Sequence, residues 1–189
     1  MTPAGFLIAL AVLLLLRLGA QWWARGPAAV GGLRGRPSVV LWFVVYCVLL
    51  AGAVLAIHRS GEVKMTGAAM LLLSLALRFA GLHALRGHYH EAIAVQEHHG
   101  VVRSGVYRFL RHPLHLALLG ESGALALLWG GLWALPLVLL MLVVLLHRNL
   151  QEEAVLVESL GAPYRDYCRG GAWDLIDLLP TGRSGREAA

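Results

Sequence analysis

Gly105-Val-Tyr-Arg-Phe-Leu-Arg-His-Pro-Leu-His115 is the stretch on which the reading of this chain turns. It closes a basic, histidine-rich segment that begins at Arg86, and its end opens an apolar run from Pro113 to Trp129. Pro113 suits the first turn of a helix, where a missing N–H does no harm. Charged side chains therefore stand at the mouth of a membrane helix. A second apolar run, Leu132 to His147, follows after only Gly130 and Gly131, so the two are expected to form an antiparallel helical hairpin.

Outward from the hairpin the same character holds. Hydrophobic residues make up 58% of the 189 residues, charged residues only 14%, and mean hydropathy is +0.68, which argues against a soluble fold. Upstream, Pro3 to Ala24 reads as a retained first span, apolar except for Arg17 and Gln21. Ser38 to Ile57 carries no charge and would make a helix of about 30 Å, the thickness of a bilayer core. Val63 to Leu85 is a third span. The fold expected is all-α and integral to the membrane, with five transmembrane helices, a hairpin formed by spans four and five, and a cytoplasmic C-terminal helix. It divides into a three-span region, 1–85, and a region expected to hold the chemistry, 86–189. Within the latter, a juxtamembrane helix from Arg148 stops near Gly161 and Pro163, and Thr181 to Ala189 reads as a disordered tail.

Arginine distribution sets the expected orientation. Arg25, Arg34 and Arg36 fall in the first loop, Arg86, Arg103, Arg108 and Arg111 in the third, and Arg148, Arg165, Arg169, Arg183 and Arg186 follow the fifth span, against only Arg59 and Lys64 in the second loop. The N-terminus is expected outside and the C-terminus in the cytoplasm, in a membrane of the bacterial inner type. The formal charge of +5 has an anionic membrane face as its natural partner, and no nucleic-acid-binding motif accompanies it. Cys47 and Cys168 are expected to be free thiols.

Polar residues near the hairpin mouth carry the candidate chemistry. Arg148 and Glu152 lie four apart on one helical face, with Glu153 one step round, and spacing alone fits either a solvated ion pair or a substrate and cofactor site. His112 and His115 sit one turn apart, with His88, His90, His98 and His99 upstream, but no carboxylate or cysteine stands at ligand spacing beside them, so no metal is expected. Tyr107, Tyr164 and Tyr167 suit either interface anchors or walls of a cation pocket. Glu121 falls near the middle of the fourth span, where a carboxylate costs roughly 2.5 to 3.5 kcal/mol. It is expected to face the bundle interior, neutral or paired with Arg78 or a histidine, and is a candidate for a substrate-path role.

With these residues in view, the chain resembles the isoprenylcysteine carboxyl methyltransferase family, and more broadly the membrane methyltransferases that include phospholipid N-methyltransferases. The resemblance rests on His99, Val101, Val102, Ser104, Gly105, Tyr107, Arg111, His112 and Pro113, then on Arg148, Glu152, Glu153, Gly161, Tyr164 and Tyr167, with the short hairpin between the two patterns. His115 stands where the family pattern has tyrosine. The resemblance implies S-adenosylmethionine as methyl donor, lined by His99, Gly100, Val101, Val102, Tyr107, His112, Pro113, Leu114, His115 and Glu152, with helix N-terminal N–H groups after His112 for its carboxylate. Arg148 would orient the acceptor, expected to be a lipophilic or prenylated molecule that enters from the bilayer and offers a carboxylate or hydroxyl. Alternative readings are a phospholipid N-methyltransferase, a nicotinamide-dependent membrane reductase on a related scaffold, and a membrane protein without catalysis.

Overall fold

A computed structural model describes residues 15, 17–24, 36–55, 61–86, 101–129 and 134–178. Among these, the chain is all-helical: α1 (17–24), α2 (Arg36–Leu55), α3 (Gly61–Ala84), α4 (Pro113–Trp129), α5 (Leu135–Leu160) and α6 (Ala162–Arg169), with 3-10 turns at Gly105–Arg108 and Leu175–Leu178. Met65–Ala84 and Leu135–Leu160 are long and apolar enough to cross a membrane, while Val40–Ala53 and Pro113–Leu128 are shorter apolar stretches. The turn between α4 and α5, most of the expected first span, and the expected C-terminal tail lie outside the described residues.

Helix packing is set by small residues. A Cβ on Gly120 of α4 would come within 2.3 Å of the Ser74 hydroxyl on α3, and one on Gly67 within 3.2 Å of the Ala124 carbonyl. Only the missing side chains let α3 and α4 approach this closely, the usual route to tight contact between helices in lipid. Trp42, Tyr46 and Leu49 of α2, Leu71 and Leu75 of α3, Leu118 and Leu125 of α4, and Met141 and Leu145 of α5 fill the common core. Outside it, Phe43, Val44, Leu72, Leu73, Leu139 and Val143 are exposed, so the helices turn apolar side chains outward as well as inward. That pattern suits a surrounding hydrocarbon and not water.

α5 does not pause at His147. The segment from Arg148 continues it without a break to Leu160, so the expected juxtamembrane helix is the last part of the same helix. Its rigid backbone carries Arg148, Asn149, Glu152 and Glu153. Gly161 ends it with φ 61°, in the left-handed region that glycine enters at little cost, and Pro163 opens α6 immediately afterwards. This corner folds α6 back along α5, where Tyr164 and Tyr167 pack with Val101, Leu156 and Val157. After Gly171, at φ 88°, the chain returns to the loop before α4. There the Arg111 N–H donates to the Trp173 carbonyl at 2.9 Å and the Trp173 N–H to the Phe109 carbonyl at 2.8 Å. Segments distant in sequence thus converge on the N-terminal end of α4.

Candidate active site

Four pieces of chain build one polar cluster: Arg111 and His112 before α4 with His115 in its first turn; Arg148, Asn149, Glu152 and Glu153 on α5; Tyr164 on α6; and Asp174 and Asp177 beyond it. His112 Nδ1 lies 3.3 Å from Glu152 and its Nε2 3.0 Å from Glu153, so both ring nitrogens face carboxylates. Burial works against the imidazolium, but the hydrogen bonds to Glu152 and Glu153, helped by the charges of Glu152 and Asp174, push its pKa up to about 10. His112 is therefore a cation at neutral pH. Arg111 is bridged by Glu153 at 2.9 Å, Asp174 at 3.4 Å and Asp177 at 3.5 Å. Burial opposes its charge too, yet Glu153 and Asp174 outweigh it and hold the guanidinium more firmly charged.

His115 has a different state, fixed by its partners. Arg148 Nε donates to His115 Nε2 at 3.2 Å, so that nitrogen is unprotonated and the ring is neutral. Its proton sits on Nδ1, which faces Asn149 Oδ1, and Asn149 Nδ2 in turn donates to Asp174 at 2.8 Å. A single chain of donors runs from Arg148 through His115 and Asn149 to Asp174. The two imidazoles stack, with ring centres 5.5 Å apart and planes 14° from parallel. One is charged and one neutral, a difference set wholly by neighbours.

The Arg148–Glu152 pair expected from spacing is present at 3.3 Å. Arg148 is only 3% exposed, so it is not the solvated pair of the bland reading. Glu152 keeps more of its surface, with 19% of its side chain open, and is the most accessible carboxylate of the cluster. Tyr164 donates to Glu153 at 2.8 Å, and burial followed by the Glu153 charge pushes its hydroxyl well above the usual phenol range. Cys168 is likewise raised by burial and by Glu153. Both cysteines are free thiols, as expected.

The cluster gathers some expected residues and not others. His112, His115, Arg148 and Glu152 come together. Tyr107 stands one layer behind, its carbonyl accepting the Tyr167 hydroxyl at 2.5 Å, and Val101 packs at the α5–α6 corner. Val102 is half-buried on the same lead-in. His99 and Gly100 lie outside the described residues. Pro113 is fully buried beside Gly81 of α3, and Leu114 packs with Ala24 and Leu82, turned away from the cluster. Leu114 is therefore a packing residue in this arrangement: directly after Pro113, it falls on the face of α4 that meets α1 and α3. Asn149 and Asp174 were missed; Asn149 adjoins a motif residue, whereas Asp174 belongs to no pattern that spacing could reveal.

Glu121 is also apart. It lies six residues beyond His115, about 9 Å along α4 and about a third of a turn round, and it meets Arg17 at 3.0 Å and Arg78 at 2.5 Å. Pairing with Arg78 was anticipated; Arg17 was not.

Chemically, the first cluster is a mixed-sign site. Among the described residues, Arg111, His112 and Arg148 are positive and Glu152, Glu153, Asp174 and Asp177 negative, which leaves one negative charge in excess. One ligand atom each from His112, His115 and Glu152, or from His112, Glu153 and Asp174, lies within 4.8 Å of the others. His112 belongs to both groups, so a metal there would have to displace the proton that Glu152 and Glu153 hold on it. An organic cation carrying its own carboxylate fits the donor set better.

Residues 67–158, which include His112, α4 with His115, and α5 as far as Glu158, match the family described as the Isoprenylcysteine carboxyl methyltransferase (ICMT) family. No curated protein matches the chain. The family is one of membrane methyltransferases. Asp174, Asp177 and the α6 tyrosines lie beyond the matched residues.

Proposed function

We propose, for a chain whose residues 67–158 belong to the isoprenylcysteine carboxyl methyltransferase family, the transfer of a methyl group from S-adenosylmethionine to a carboxylate or hydroxyl of a lipophilic acceptor. The observation that carries this reading is the single excess negative charge of the cluster. S-Adenosylmethionine is its complement, with sulfonium and ammonium positive, carboxylate negative, and one positive charge overall. When bound, it supplies an electrophilic methyl group whose departure cancels the sulfonium charge.

This chain's own residues would do the rest. Glu152, part-exposed like Glu153, would meet the cationic part of the donor, while His112 would hold both carboxylates in fixed positions from its two ring nitrogens. Arg148 would attract an anionic acceptor and orient it, its own guanidinium steadied by the neutral His115 and, through Asn149, by Asp174. A methyl group moves in line between nucleophile and sulfur, so alignment in a site with little water is the main contribution required. A carboxylate acceptor needs no strong base, and the raised Tyr164 hydroxyl is correspondingly unsuited to be one. Arg148 disfavours a cationic amine headgroup, which ranks phospholipid N-methylation second. His115, in the tyrosine's place, reads as a neutral relay that a tyrosine could not reproduce, because its acceptor and donor stand on two separate ring nitrogens whereas a phenol carries both on one oxygen. The exposed apolar faces of the helices support lateral entry of the acceptor from lipid, and the arginine excess supports a cytoplasmic position for the site.

Calorimetric binding of S-adenosylmethionine to the detergent-purified chain tests the reading, followed by radiolabelled methyl transfer into a lipid extract. Saturable binding that is lost in Glu152→Ala and His112→Ala is expected. A folded protein that binds no donor would overturn it and bring the reductase reading forward.

A further inference from the structure

A second buried group of charges lies about 9 Å further along α4 and about a third of a turn round from the first, and nothing in the methyl-transfer reading uses it. Glu121, wholly buried about 12 Å along α4 from either end of the helix, accepts a guanidinium hydrogen bond on each carboxylate oxygen and also interacts with the Tyr46 hydroxyl. Both come from an Nε, that of Arg17 and that of Arg78. Two guanidiniums therefore share one carboxylate, and the group carries one uncompensated positive charge. Arg17 is 4% exposed and Arg78 3% exposed. In each, Nη2 is buried with no hydrogen-bond partner among the described residues. The Tyr46 ring lies 4.6 Å from the Arg17 guanidinium, but a ring face steadies a cation without cancelling it.

Two arginines on one carboxylate tie α1, α3 and α4 together, but a clamp of neutral charge would need a second anion. The second arginine adds a buried charge and leaves two donors unused, which raises the desolvation penalty of the group without a matching partner. We propose that Arg17, Glu121 and Arg78 form an anion-binding site, and that its ligand is a monoanionic carboxylate or enolate head on an apolar body. One such head would restore neutrality and accept from both Nη2 groups. The neighbouring surface favours an apolar body: Leu18 beside Arg17 and Phe79 beside Arg78 are both exposed. A hydrated inorganic anion would have to shed its water against that surface, whereas an amphiphile arrives through lipid with its head already drawn to the charge. The site stands independently of the methyl-transfer reading.

Equilibrium binding of radiolabelled dodecanoate to the full chain in nanodiscs of zwitterionic lipid tests this, with methyl dodecanoate, acetate and chloride as competitors. Saturable binding is expected, unaffected by the methyl ester and weakened about tenfold or more in Arg78→Gln, since each hydrogen bond to a charged group is worth that much. Glu121→Gln should act in the other direction, holding binding or tightening it, because it removes the anion that competes for the guanidiniums. Competition by acetate equal to that of unlabelled dodecanoate would assign the site to small free anions; weak competition by acetate and chloride would assign it to the amphiphile. If Arg78→Gln does not fold, Glu121→Gln decides alone. Absent saturable binding, equal competition by the ester, or binding lost in folded Glu121→Gln, the site is a packing clamp only. S-Adenosylmethionine binding measured on the same samples reports separately on the other cluster.

Discussion

α4 carries two buried groups of charges built on opposite plans. At its N-terminal end, three cations and four carboxylates are contributed by three pieces of chain, with hydrogen bonds linking nearly every member and Glu152 and Glu153 left part-exposed. At its middle, two cations share one carboxylate, and two guanidinium nitrogens have no partner among the described residues. One group is net negative and the other net positive, although they lie on the same helix. The sign of a buried site is decided by its neighbours across the helix faces and not by the segment that carries it. It follows that ligands of opposite charge can be held a few turns apart without competing.

Arg148→Ala should break the first group most severely. Methyl transfer is expected to fall by on the order of 10²- to 10³-fold, since the charge that meets the acceptor and the anchor of the His115 relay are lost together. Thermal unfolding checks that the fold persists, and undiminished transfer would refute the role given to Arg148. Next, Glu152→Gln neutralises the first group and should weaken S-adenosylmethionine binding about tenfold or more. Arg78→Gln, in the second group, should leave that binding within about twofold. Equal losses would mean that the two groups are one site.

The comparison sharpens with pH. His112 has its pKa raised from 6.5 to about 10 by its carboxylate partners, so its contribution to the folded site is complete below pH 6.5 and is lost as pH rises through about 10. Donor binding should therefore be level across neutral pH and fall near pH 10, and Glu153→Gln should draw that fall to lower pH. Titration of binding calorimetry measures both. The effect on stability alone belongs to packing: Gly120→Ala should cost about 1 to 3 kcal/mol, because the new methyl group meets the Ser74 hydroxyl at 2.3 Å. Ser74→Ala in the same chain should recover part of the loss in a melting experiment.

Much of the first group was legible in the sequence because its members recur at helical spacing around Pro113 and Arg148. Two apolar runs joined by a pair of glycines force those segments together, so His112, His115, Arg148 and Glu152 could be brought to one place without coordinates. Asp174 could not, for its position depends on the left-handed Gly161 and Gly171 turns and on a backbone pairing between Trp173 and residues 109–111. Leu114 shows the converse limit of a motif: it sits inside one, and the turn of α4 packs it towards Leu82. Glu121 announced itself by its cost in an apolar run, and Arg78 by its position in the third span. Arg17 looked like an isolated polar residue in the first span because its partner lies 104 residues away.

The lateness of Asp174 and Asp177 in the chain has a consequence during synthesis. Before residues 172–178 emerge, Arg111, His112 and Arg148 face only Glu152 and Glu153, and the nascent group carries a net positive charge. The loop ahead of α4 is thus most basic while the hairpin is being inserted, when positive charge resists translocation. The last aspartates then reverse the sign, so the charge of the group is set by a segment made after both helices that carry it.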